Sequence, residues 1–191
     1  MDIDQFCRTF DDESEGYITA VHSADRDLVI QIEMDSLNLS GVRVRYELHA
    51  VDVVEFNVSP RWIGNIEFSD EHPLTWNYSY PWQDLYYTTA PTSRAEVIGL
   101  LYETHERVFM GWRPLTEFLN PTGVPLLVSP GLLAHGPEPL ILEYVAAVQQ
   151  LLKVNTVRSH RKPQPAKVLI LEDSFAVCSD VNVIEVPIIT S

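Results

Sequence analysis

Between Val42 and Val58 nearly every even-numbered residue is apolar: Val42, Val44, Tyr46, Leu48, Ala50, Val54, Phe56 and Val58. Arg43, Arg45, Glu47 and His49 occupy the alternate positions. Side chains on a strand point to opposite faces in turn, so this period of two describes a strand with one buried and one wet face. Asp52 breaks the apolar face, and Val51 and Val53 are apolar on the other side. The run is also longer than the usual strand of about 5–6 residues. A bulge or bend near Ala50–Val53 that turns Asp52 to solvent accounts for both features.

The same alternation governs Leu28, Ile30, Ile32 and Met34 against Val29, Gln31, Glu33 and Asp35, and a further strand is expected over Tyr17–His22. The polar HSADRD between them supplies a hairpin connection. Helical spacing appears later. Ser93 with Glu96 forms a capping box, and Val97, Ile98, Leu101, Tyr102, His105 and Val108 follow, predicting a helix from about Arg94 to Phe109. A second helix is expected to open at Gly136–Pro137–Glu138, carry Ile141, Tyr144, Val145, Val148, Leu151 and Leu152, and end near Lys153. Between the helices, Pro114–Asn120 suits one short helical turn, and Pro121, Gly123, Pro125, Pro130 and Gly131 keep the rest irregular. Short strands are expected over Val168–Leu171, Phe175–Cys178 and Val183–Val186.

The order strands, helices, strands predicts an α+β fold: a single globular domain over 1–191, mostly antiparallel β-sheet with two main α-helices packed on it. Its expected segments are a β-rich part (1–90), a helical part (91–153), a basic connector (154–167) and C-terminal strands (168–189). A chain of 191 residues is long enough to bury one sizeable core.

Charge narrows the function. The formal net charge is -14; residues 1–72 hold 16 acids and 5 Lys/Arg, a net of -11, whereas residues 73–191 hold 11 acids and 8 Lys/Arg, a net of -3. Such a field repels phosphate backbones, which disfavours nucleic acid and favours a cationic partner. Lys153, Arg158, Arg161, Lys162 and Lys167 form a basic segment, read as a solvated linker. No apolar stretch approaches the roughly 20 residues that span a bilayer. The opening MDIDQFCRTFDDESEG is acidic where a secretory leader is basic, and Cys7 and Cys178 stand far apart without Cys-x-x-Cys spacing. A reduced, cytoplasmic protein is expected.

Candidate contact residues cluster in the segment SDEHPLTWNYSYPW. If Thr75–Pro81 is extended, Trp76, Tyr78, Tyr80 and Trp82 project from one face, as a recognition stripe or as core filling. Asp70, Glu71 and His72 precede them; with Glu103, His105 and Glu106 of YETHER they have the residue types of a metal or acid–base site. No His-Glu-x-x-His spacing, Gly-x-Ser-x-Gly elbow, phosphate loop or dinucleotide fingerprint is present. For His105, on an apolar stripe, a hydrogen-bonded imidazole is the ordinary outcome. Gly131–Pro137 reads as a helix entry, and Cys178, in an apolar run, as an inert thiol.

No catalytic residue, cofactor or metal is predicted. The leading expectation is a non-enzymatic acidic protein that binds a cationic protein partner, as immunity or inhibitor proteins do, with Trp and Tyr as anchors. One alternative is an enzyme or small-ligand receptor that stacks its ligand on the aromatic stripe and uses His72, Glu103 or His105 as polar groups. The other is a structural or assembly subunit.

Overall fold

The alternation at Leu28–Asp35 and Arg43–Val51 builds the largest sheet of the computed structural model, which describes residues 1–10, 15–35, 43–119, 127–160 and 162–186. Val42, residues 11–14, the stretch around Pro121, Gly123 and Pro125, Arg161 and the chain beyond 186 lie outside the described residues. The expected α+β class, with mostly antiparallel sheets and two main helices, is what the chain adopts. Contacts gather it into two compact units, residues 1–75 with 165–191 and residues 76–164.

In the first unit β1 (Gly16–Ala24) and β2 (Asp27–Asp35) form the expected hairpin, joined by a two-residue turn in which Asp25 has φ 53°. That left-handed conformation is tolerated by aspartate. β3 (Arg43–Val51) pairs with β2, β12 (Asp180–Val186) with β3, and β5 (Trp62–Ile63) with β1, all antiparallel. One face buries Ile18, Leu28, Ile30, Ile32, Met34, Val44, Tyr46, Leu48, Val181 and Val183. On the other, Arg45 binds Glu33 at 2.6 Å, and Glu47 accepts hydrogen bonds from Gln31 and His49 at 3.0 and 3.1 Å. Gly16 lets β1 approach its neighbours: a Cβ there would meet Ile32 Cγ2 at 3.0 Å and Ile63 Cγ1 at 3.2 Å. The expected bend is present, since Asp52 adopts φ 51° and is exposed.

β4 (Glu55–Asn57), β11 (Ser174–Cys178), β10 (Lys167–Leu171) and β6 (Ile66–Ser69) form a second antiparallel sheet in that order. Its central strands are buried on both faces. A short helix, α1 (Ile3–Thr9), capped by Asp2 through the Gln5 N–H at 2.7 Å, adds Ile3, Phe6 and Phe10 to this core.

In the second unit β7 (Trp82–Tyr87) lies between β8 (Gly131–Pro137) and β9 (Val154–Arg158). α3 spans Arg94–Phe109 as expected, with Ser93 Oγ accepting the Glu96 N–H at 3.3 Å. The short turn forms at Leu115–Glu117. α4 (Glu138–Val148) opens within the expected Gly136–Pro137–Glu138 and ends before the expected Lys153, while β8 takes Gly131–Pro137 for pairing with β7. Gly131–Pro137, expected only as a helix entry, is itself a strand that leads directly into α4. Likewise, Val154–Arg158 of the expected connector is the strand β9. α4 packs on β7 and β8 and joins α3 in a core of Leu85, Val97, Leu101, Phe109, Leu140, Ile141, Tyr144 and Val148.

Candidate functional site

The aromatic segment does not form a strand. Pro73–Thr75 is a 3₁₀ turn that continues into α2 (Trp76–Ser79), so Trp76, Tyr78, Tyr80 and Trp82 share no single face. Local hydrogen bonds decide this: the Leu74 N–H donates to His72 Nδ1 at 3.2 Å, Thr75 Oγ1 donates to the His72 carbonyl at 2.8 Å, and the Tyr80 N–H reaches the Trp76 carbonyl at 3.2 Å. Trp76 packs on Phe109, with ring centroids 6.3 Å apart, and serves the core. Tyr80 is exposed, Tyr78 is half-buried, and Trp82 moves to β7, its indole N–H donating to the Asn77 carbonyl at 3.0 Å.

Asp70 and Glu71 are exposed on a turn, where the Glu71 N–H binds Ser69 Oγ. His72 is half-buried and caps the 3₁₀ turn. Burial holds its imidazole below the ordinary range, while the Glu67 carboxylate opposes that shift. The fold therefore binds the proton more weakly than the unfolded chain, and the stability from His72 is present in full above about pH 6.5 and lost as pH falls. His72→Asn keeps an acceptor for the Leu74 N–H and cannot titrate in this range. Urea unfolding at pH 7 and pH 5 should show the wild type losing more stability than this variant; equal losses would remove His72 as the cause.

His105 is fully buried, as a structural imidazole: Nδ1 meets the Tyr144 hydroxyl at 2.8 Å and Nε2 the Arg113 carbonyl at 2.7 Å. Phe109 and Phe118 enclose it. Glu103 is exposed on α3. Among the described residues no group of three or more His, Cys, Asp or Glu side chains is arranged to hold a metal ion. Burial and the Asp4 carboxylate push the Cys7 thiol up to about 11, and burial takes Cys178 to about 12, so neither is a nucleophile near neutrality.

Two arrangements that the sequence did not reveal stand out. The first is a shallow groove of about 320 Å³ in the first unit, lined by Glu15, Trp62, Ile63, Gly64 and Glu172. Trp62 is 59% exposed, and its ring is braced edge-on by Tyr17 at 5.2 Å. Glu172 occupies the tight turn between β10 and β11 with φ 59°, and its Oε2 accepts the Gly64 N–H at 3.2 Å. Beside it Arg61 is neutralised by Asp173 at 2.8 Å. Among the described residues neither Glu15 nor Glu172 is in an ion pair, so the groove offers an exposed indole and two uncompensated carboxylates. A cation over such a ring gains about 0.5–1 kcal/mol at an exposed site.

The second is in the other unit. Asp84 and His135 face each other across β7 and β8, and the carboxylate is hydrogen-bonded to His135 Nδ1. The Trp82 ring lies 4.6 Å from the imidazole, and the Tyr86 hydroxyl donates to Asp84 Oδ2 at 3.5 Å. A carboxylate on Nδ1 orients the ring and leaves Nε2 for a ligand. Comparisons with protein families, curated proteins and solved structures give no match.

Proposed function

We propose that this chain is a non-enzymatic protein that docks on a basic protein partner, with a lysine or arginine of that partner seated in the Trp62 groove. The observation that carries this reading is the exposed indole in a groove that Glu15 and Glu172 also line. Net charge of -14 would speed the encounter, and a tryptophan is among the commonest anchors of protein interfaces. The charged face of the large sheet contributes less, because Arg45 already neutralises Glu33 and His49 hydrogen-bonds Glu47. An immunity or inhibitor protein is one instance of this class. The free thiols of Cys7 and Cys178 fit a reducing, cytoplasmic setting, and no described helix is long and apolar enough to cross a membrane.

The test is a titration of Trp fluorescence with a lysine-rich peptide, followed by capture of partners at low and high salt. Glu15→Lys with Glu172→Gln, which keeps an acceptor for the Gly64 N–H, should weaken binding about tenfold or more without lowering the melting temperature, and Trp62→Ala should weaken it comparably. Binding that survives both the substitutions and high salt would overturn the reading.

A second reading rests on Asp84 and His135 beside Trp82, which alone of the expected residues meets a His–carboxylate pair; together they fit a small-ligand or enzyme site. It is favoured if a thermal-shift screen of sugars, nucleotides and divalent ions finds a ligand whose effect is lost in His135→Ala.

A further inference from the structure

We infer that the outer edge of β9 is a docking strand for an extended acidic segment of a partner protein. β9 is the marginal strand of its sheet, pairing with β7 alone. Antiparallel partners alternate between pairs that exchange hydrogen bonds and pairs that do not. The Thr88 N–H donates to the Lys153 carbonyl at 2.9 Å, and the Ser159 N–H to the Trp82 carbonyl at 2.8 Å. By that alternation Lys153, Asn155, Val157 and Ser159 direct their backbone groups at β7. Val154, Thr156 and Arg158 direct theirs outward.

Asn155 to Arg158 are all exposed, with Val157 at 48%, so no described residue covers this edge. Its charge specifies the occupant. Residues 144–164, within the same unit, contain four Lys/Arg and neither Asp nor Glu, in a chain of net charge -14. Lys153, Arg158 and Lys162 are exposed, and Arg158 also reaches Glu138 at 3.2 Å. Edge cations deter strands of like charge. They favour a carboxylate-bearing one, whose backbone would supply affinity and whose side chains would supply selection. This strand uses residues other than those of the Trp62 groove and selects the opposite charge, so the two proposals stand or fall separately.

The experiment titrates the full chain with a fluorescent peptide that alternates glutamate and valine, and with the same peptide carrying lysine for glutamate. The acidic peptide should bind about tenfold or more tightly than the basic one, weaken with salt, and slow hydrogen exchange at the Thr156 amide. Thr156→Pro removes an outward N–H and leaves the β7 ladder intact, so affinity should fall about tenfold while the unfolding midpoint holds. Should proline disturb the sheet, Lys153→Glu with Lys162→Glu gives the same loss from exposed positions. Equal binding of both peptides, full binding by both variants, or a homodimer that Thr156→Pro dissolves would each overturn the inference; the last would make a second copy of the chain the occupant.

Discussion

His105→Ala should destabilise the 76–164 unit by about 3–5 kcal/mol, the range for truncating a fully buried ring. The loss has two sources. The removed imidazole leaves a cavity beside Phe109 and Phe118, whose rings stack at 5.4 Å. It also leaves the Tyr144 hydroxyl and the Arg113 carbonyl without the partner that each now has at hydrogen-bonding distance. An orphaned buried polar group costs about 1–3 kcal/mol, so Tyr144→Phe, which orphans His105 Nδ1 but empties no ring-sized cavity, should cost less than His105→Ala. Chemical denaturation followed by circular dichroism measures both. A loss under about 1 kcal/mol for His105→Ala would show that the imidazole does not hold α3 to α4.

Phe6→Ala should cost the other unit a similar amount, about 3–5 kcal/mol. Phe6 is wholly buried, its ring 5.0 Å from that of Tyr46 and 6.3 Å from that of Phe10. A helix of the length of α1 has little stability of its own, since isolated helices under about 12–15 residues are marginal in water. Its amides should therefore exchange with solvent far faster in the variant, and faster than the β2 and β3 amides of the same sample. Uniform protection across α1 and the sheet would mean that Phe6 is not what fastens the helix.

These two positions also mark what can be read from the chain alone. His105 was legible as a core imidazole because its helix shows a clear period and a capping box. α1 was less legible: Ile3, Phe6, Cys7 and Phe10 have helical spacing behind Asp2, but seven residues are too few turns to separate a helix from irregular chain by period alone. The alternation of β2 and β3 fixed which face is buried, and Asp52 fixed where the strand bends. The aromatic segment misled because rings at two-residue spacing fit a strand, whereas three hydrogen bonds around His72 and Thr75 decide for a helical turn. β8 was hidden by the glycines and prolines at its ends, and β9 by its polar, cationic setting.

Both candidate sites depend on pairings that no local pattern encodes. Asp84 meets His135 only through the register of β7 on β8, the two lying 51 apart in the numbering. Gly64 and Glu172 are 108 apart, and their contact requires β10 and β11 to present a turn beside β5. Local sequence specifies strands; it does not say which turn lies against which edge.

That turn is built around an unusual choice. At φ 59° most side chains crowd their own backbone, and an L-residue there gives up about 1–2 kcal/mol relative to the right-handed alternative. Glycine would rest in that conformation without complaint, yet it would remove the oxygen now fastened to the Gly64 amide and erase one of the groove's negative ends. Relief of backbone strain and retention of that oxygen thus pull this one codon in opposite directions, and under the proposed docking role a change to glycine made for heat resistance alone would also cost the groove a carboxylate.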